Sequence, residues 1–280
     1  MNATSALPSL FPEPQQSDLP RLCVGTSGYS FRDWVGPFYP LRVPARQHLE
    51  YYAAHFPCLE VNVTHYRLPD ASFLQRMCER TPASFGFLVK LHQSMTHGSG
   101  LDAPSLQAFG AALQPMQECD KLQGVLAQFP FRFHNTHANR NHLARLRESF
   151  AQVPFFAEFR HASWIEDRSF DLLRRLGVGY VCVDEPPLDN LVPPVVRATT
   201  EVGYVRLHGR NARTWYARSP EEGDRYDYLY DESELQEWAQ RIRRLIRETR
   251  RVFVLFNNCH AGKAPANAQA MKEILALLEE

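Results

Sequence analysis

Eight short apolar or β-branched runs recur from residue 21 onward, most of them followed by a segment with helical spacing, and this alternation constrains the fold more than any other feature of the chain. The runs are Leu22 to Thr26, Leu59 to Thr64, Phe85 to His92, Leu122 to Phe129, Phe155 to Arg160, Tyr180 to Asp184, Tyr204 to His208 and Val252 to Asn257. Between them, residues 45–56, 69–80, 104–119, 139–150, 167–176, 231–249 and 264–279 read as helices. In the 231–249 segment, Leu235, Trp238, Ile242 and Leu245 form one apolar face. Pro69-Asp70 and Ala103-Pro104 open helices, and Gly177 closes one after Leu176. Glu185 to Thr200 carries four prolines and no helical period, so an irregular crossover is expected there.

Eight strand-plus-crossover units over residues 21–280 predict a single (β/α)₈ TIM-type barrel. A doubly wound open sheet is the alternative, disfavoured because no glycine-rich dinucleotide fingerprint is present. Residues 1–20 hold four prolines, no Lys or Arg and no apolar core, and are expected to be a disordered N-terminal tail rather than a targeting peptide.

Lys and Arg number 31 and Asp and Glu number 31, so net charge supplies no reason for nucleic-acid or membrane attachment. No apolar run approaches the ~20 residues needed to span a bilayer. The six cysteines form no CxxC pair, which fits a reducing, cytoplasmic setting. Oligomeric state is not legible.

Polar residues interrupt these strands near their C-terminal ends. Glu60, Asn62 and Thr64 share one strand parity, as do Lys90 and His92, Glu158 and Arg160, and Arg206 and His208; Gln128, Asp184 and Asn257 or Asn258 complete the set. The opposite parity is apolar: Val61/Val63, Val89/Leu91, Ala157/Phe159 and Val205/Leu207. In a barrel the apolar set packs on helices and the polar set points into the mouth. Buried charges must be paired, solvated or ligand-bound, since an unpaired one costs several kcal/mol. The structural alternative is a lumen ion-pair network, with Glu60 or Glu158 on Lys90 or Arg160, and Asp184 on Arg206. Catalytic groups in this fold come from such strand ends, which favours an active site.

Gly25-Thr26-Ser27-Gly28-Tyr29-Ser30, Asp33-Trp34 and Pro37-Phe38-Tyr39-Pro40 resemble the start of the YecE-like family, domain of unknown function 72. The resemblance continues through Tyr51-Tyr52, Glu60-Val61-Asn62, Tyr66-Arg67-Leu68-Pro69, Lys90, Thr96-His97, Phe159-Arg160-His161 and Ser163-Trp164. It runs on to Tyr204-Val205-Arg206-Leu207-His208-Gly209-Arg210 and Phe256-Asn257-Asn258. It implies a TIM-type barrel and no established activity. Cys259-His260-Ala261-Gly262-Lys263 departs from the family's pattern, so the resemblance carries no anion-binding role to that segment.

The expected function is an enzyme using acid/base chemistry on a small anionic or phosphorylated substrate, with Glu158, Asp184, Lys90 and His208 catalytic. Glu60, Asn62, Arg160, Arg206, Arg210, Tyr29, Trp215, Asn257 and Asn258 are expected to bind substrate, the arginines suiting carboxylate or phosphate. No cofactor is indicated. A metal-dependent phosphodiester hydrolase, with ligands among Glu60, His65, His92, Glu158, Asp184 and His208, is a second reading, although no local metal motif supports it. A third is a non-catalytic nucleic-acid or phosphate-ligand binder. It draws on the Gly209 to Tyr230 loop, where Trp215, Tyr216, Tyr226, Tyr228 and Tyr230 interleave with Arg210, Arg213 and Arg218. The same loop is equally readable as packed by its own tyrosines. The arginines at 241, 243, 244, 247, 250 and 251 read as a solvated helix face.

Overall fold

Eight parallel strands close on themselves in chain order, β1 pairing with both β2 and β8, in a computed structural model that describes residues 19–98, 100–217 and 224–277. The strands are β1 (Leu22–Ser27), β2 (Cys58–Val61), β3 (Gly86–Lys90), β4 (Leu122–Gln128), β5 (Phe155–Glu158), β6 (Val178–Asp184), β7 (Val202–Leu207) and β8 (Arg251–Phe256). The helices are α1 (His48–Ala53), α2 (Ala71–Glu79), α3 (Gln93–Thr96), α4 (Ala103–Glu118), α5 (His137–Ser149), α6 (Asp167–Leu176), α7 (Glu232–Glu248) and α8 (Lys263–Leu277). This is the (β/α)₈ barrel expected from the alternation. Residues 1–18 of the expected tail lie outside the described residues, while Leu19 is buried beneath the barrel and its carbonyl accepts from Arg251.

Local chemistry sets the helix boundaries. The Asp231 side chain accepts from the Glu234 N–H and the Glu234 side chain accepts from the Asp231 N–H, a reciprocal cap that starts α7. Leu235, Trp238, Ile242 and Leu245 of that helix are all buried, as their spacing predicts. Asp70, Asp102 and Thr136 cap α2, α4 and α5 with side-chain acceptors. Gly177 ends α6 in the left-handed region at φ 63°. Between β6 and β7 no helix forms, as the four prolines anticipate. Arg243, Arg244 and Arg247 are exposed on α7, whereas Arg250 and Arg251 lie beyond its end. No helix among the described residues is long and apolar enough to cross a membrane.

Strand length departs from expectation. β2 stops at Val61, and Asn62 begins a one-turn 3₁₀ helix, so Asn62 and Thr64 do not share the face of Glu60 by strand parity. Val63, expected on the helix-packed face, is 51% exposed for the same reason. β3 stops at Lys90, and His92 instead caps α3 by accepting from the Ser94 N–H. β5 stops at Glu158, leaving Arg160 on the following loop.

The lumen is filled from below by aromatic residues. Phe156 and Tyr204 are buried with ring centroids 5.2 Å apart and edge to face, and Glu158 and Arg206 follow two residues later on the same faces. The Phe156 ring lies so close to its flanking strands that a Cβ on Gly179 would approach it to 2.4 Å, and one on Gly124 to 2.5 Å. Glycine on both sides is what admits the ring. Gly179→Ala is therefore expected to destabilise the fold by about 1–3 kcal/mol, lowering Tm by roughly 2–4 °C per kcal/mol. Adding Phe156→Leu should recover part of the loss. Calorimetry on the single and double variants checks this, and strict additivity of the two losses would mean that the ring is not what excludes the methyl group.

Candidate functional site

Arg206, 1% exposed on β7, spans two carboxylates at the centre of the barrel. Its Nη1 donates to Glu158 Oε2 at 2.5 Å, and its Nη2 donates to Glu60 Oε1 at 2.6 Å and to Ser27 Oγ at 3.4 Å. Tyr204 donates its hydroxyl to the second Glu60 oxygen. Strand parity delivers this set, since Glu60, Glu158, Arg206 and Tyr204 all face inward from β2, β5 and β7.

A second cation approaches Glu158 from above. Arg160 Nη2 is 2.8 Å from Glu158 Oε1, while its Nη1 donates to Glu185 Oε2 at 2.7 Å and its guanidinium lies 5.6 Å from the Trp215 ring. Burial by itself would raise the Glu158 pKa. Arg206 and Arg160 outweigh it and hold the carboxyl well below the usual range. Burial pushes Glu185 up to about 7 despite Arg160. Its other oxygen accepts from the Val192 N–H, which ties the proline-rich crossover to the site.

His208 is fully buried, with Nε2 3.2 Å from Glu158 Oε1. Asn257 Nδ2 donates to His208 Nδ1 at 2.9 Å, leaving the ring proton on Nε2, toward Glu158. Burial and the Arg160 charge push the His208 pKa down to about 3.

Lys90 differs from these neighbours. Thr64 Oγ1 donates to its carbonyl at 2.6 Å and fixes the end of β3, yet the ammonium makes no hydrogen bond or ion pair among the described residues. Burial first, then Arg206 and Arg160, lower its pKa to about 7 against the opposing pull of Glu60 and Glu158. Burial first, then the Lys90 charge, push His65 and His97, whose ring centroids are 5.2 Å apart, down to about 4. This side of the mouth is electropositive. Beside it, a cavity of about 400 Å³ is lined by Tyr29, Phe31, Glu60, Asn62, Tyr66 and Met77. The Asn62 Oδ1 at its edge has no hydrogen-bond partner.

Asp184 and Arg210 form a separate cluster. Asp184 accepts from Arg210 Nε at 2.9 Å, from Arg210 Nη2 at 3.0 Å and from the Tyr230 hydroxyl at 2.7 Å. Arg210 also reaches Glu234 and Glu237. The expected Asp184–Arg206 pair is thus replaced by Asp184–Arg210, because Arg206 is already held between two glutamates. Asn258 donates to the Tyr228 carbonyl and to Asn267, anchoring the end of the β7–α7 loop rather than facing the mouth. Lys263 pairs with Asp227.

Of the expected residues, the fold therefore brings together Glu60, Lys90, Glu158, Arg160, Arg206, His208, Trp215 and Asn257. Tyr29 and Asn62 line the adjoining cavity. Glu185 was not anticipated; the Asp184-Glu185 pair was its signal, and the strand ends between the two. The six expected metal ligands do not converge, and no group of three or more His, Cys, Asp or Glu side chains among the described residues is placed to hold an ion. In the β7–α7 loop Trp215 and Tyr230 are buried and Tyr228 donates to Glu234, so the loop packs on its own aromatics and leaves Tyr216 exposed. Arg218 lies outside the described residues.

The family model described as "Protein of unknown function DUF72" matches residues 23–280. The curated UPF0759 protein YunF of Bacillus subtilis (strain 168) is 31% identical over 269 residues, covering 90% of this chain and 94% of the relative. Among solved structures, a DUF72 family protein from Thermotoga maritima superposes with TM-score 0.83 at 38% identity, covering 93% of this chain and 100% of the other. Another from Enterococcus faecalis V583 gives TM-score 0.82 at 26% identity, with 91% and 95% covered.

Neutral His208 links the site to acid stability. Its folded pKa lies below the unfolded one, so above about pH 6.5 both states carry the same charge and the stability is fully present. As pH falls from about 6.5 towards about 3, the unfolded chain takes up the proton first and stability is lost. His65 and His97 act in the same direction down to about 4. Urea denaturation across this range should show falling stability on acidification, and His208→Gln should flatten the slope. An unchanged slope in the variant would mean that His208 is protonated within the fold.

Proposed function

The chain belongs to the DUF72 family, and we propose that it is an enzyme acting by acid/base chemistry on a small anionic substrate, a carboxylate or phosphate ester, at the C-terminal mouth of the barrel. The observation that carries this reading is the Lys90 amine, left without a partner among the described residues beside groups whose charges are paired. A network serving stability alone is expected to pair each charge it holds. With a pKa of about 7, Lys90 is present in both protonation states near neutrality, where a general acid or base works best.

The surrounding groups take supporting roles in this reading. Glu158 stays ionised and positions Arg206, Arg160 and His208 rather than exchanging protons. Glu185 is the second group able to carry a proton near neutral pH. Asp184 and Arg210 hold the β7–α7 loop to the barrel. The aromatic-lined cavity beside Glu60 takes the remainder of the substrate. The phosphodiester-hydrolase and nucleic-acid-binding readings draw less support, because their ligand set and stacking platform are not assembled among the described residues.

Inorganic phosphate or sulfate should raise Tm, with a stabilisation of about 2.7 kcal/mol at a hundred times its Kd. The anion favours the ammonium form of Lys90, so the effect should shrink as pH rises through about 7. Lys90→Met should remove most of it. Thermal unfolding with graded phosphate at two pH values is the measurement, and a Tm that ignores phosphate in the wild-type chain would overturn the anion site.

A further inference from the structure

The chain contains four lysines, Lys90, Lys121, Lys263 and Lys272, against 27 arginines. Three of the four have evident structural duties. Lys121 donates to the Cys78 and Thr81 carbonyls at 2.6 and 2.8 Å, Lys263 pairs with Asp227, and Lys272 donates to the His55 carbonyl at 2.8 Å. Lys90 does none of this, although it stands at the end of a barrel strand beside Arg206 and Arg160.

Binding an anion does not explain a lysine at this position. Arginine grips carboxylate or phosphate better and is the cation this chain uses almost everywhere else. An amine offers what a guanidinium does not: it can shed its proton and expose a nitrogen lone pair. The position suits that use. Lys90 is half-buried at the end of β3, and among the described residues no carboxylate lies within ion-pairing distance to hold the ammonium form. His65 and His97 are held neutral, by burial first and then by the Lys90 charge, so neither adds a second cation beside the amine.

We infer that Lys90 Nζ is a nucleophile that forms a Schiff base with the carbonyl carbon of a small α-oxo carboxylate. This rests on the anionic-substrate reading above and names its substrate class. The amine lone pair attacks the carbonyl carbon, and a proton moves from nitrogen to oxygen to give the carbinolamine. The carbinolamine oxygen then leaves as water, carrying the second amine hydrogen, and the C=N bond forms. Uptake of a solvent proton gives the iminium, whose positive charge is matched by the substrate's own carboxylate. That internal counterion fits a site where no carboxylate among the described residues ion-pairs with Lys90. The iminium carbon then acts as an electron sink for proton removal or bond cleavage at the adjacent carbon.

The test is reductive trapping on the wild-type chain. The protein is incubated near pH 7 with glyoxylate and sodium cyanoborohydride, which delivers hydride to the iminium carbon and fixes it as a carboxymethyl amine. Peptide mass spectrometry then reports the rate at each of the four lysines. Lys90 should be modified faster than Lys121, Lys263 or Lys272 by roughly tenfold or more, with a rate that saturates in glyoxylate. Propanal, which lacks the carboxylate, should show no such preference for Lys90. Modification of Lys90 no faster than of Lys272, or equally fast with both aldehydes, would overturn the inference. Phosphate-dependent stabilisation with Lys90 left unmodified would overturn the covalent step alone. Absence of both effects would remove the anion site as well. Lys90→Arg, which keeps the charge, should retain phosphate stabilisation while losing the adduct.

Discussion

Arg206 is the constraint around which the barrel's interior is arranged. A guanidinium at the centre of a β-barrel is tolerable only if its charge is matched, and Glu60 and Glu158 do this from two other strands through its two terminal nitrogens. Those carboxylates fix where β2 and β5 stand relative to β7. Tyr204 below and Ser27 beside them complete the set. Because Glu158 is shared with Arg160 and His208, the order of the central pair extends upward to the loop after β5 and to Asn257 after β8. Lys90 stands in the field of this network without being ion-paired to it among the described residues.

The eightfold alternation and the parity of Glu60, Glu158 and Arg206 were legible in the sequence because both depend on short-range periodicity. The Leu235, Trp238, Ile242 and Leu245 face and the proline-rich crossover were legible for the same reason. Parity failed where strands ended early. Asn62, Thr64, Arg160 and His92 continue the alternation in the sequence, but 3₁₀ turns and caps replace the pleat, and Val63 is turned outward. The choice of partners was also illegible. Whether Asp184 meets Arg206 or Arg210 depends on the lateral order of β5, β6 and β7 and on Tyr230, which returns from a distant loop. Adjacent carboxylates such as Asp184 and Glu185 are separable only once the strand end is known.

The same distinction sorts the site's groups by chemistry. Glu158 and His208 look catalytic in a list of residue types, but their surroundings lock each into one protonation state, which suits positioning. Lys90 stands beside them in the same list and Glu185 does not, yet burial and competing charges bring both to about 7. Environment rather than residue identity separates groups that titrate near neutrality from those held in one protonation state.

The aromatic floor made by Phe156 and Tyr204, admitted by glycine on both neighbouring strands, turns the barrel into a blind well. A barrel interior packed in this way is a core rather than a pore, so the groups above it face solvent at the C-terminal end of the strands. The traffic of the site is therefore set by what closes over the rim, and rim substitutions can change exchange with solvent without touching the ion pairs beneath.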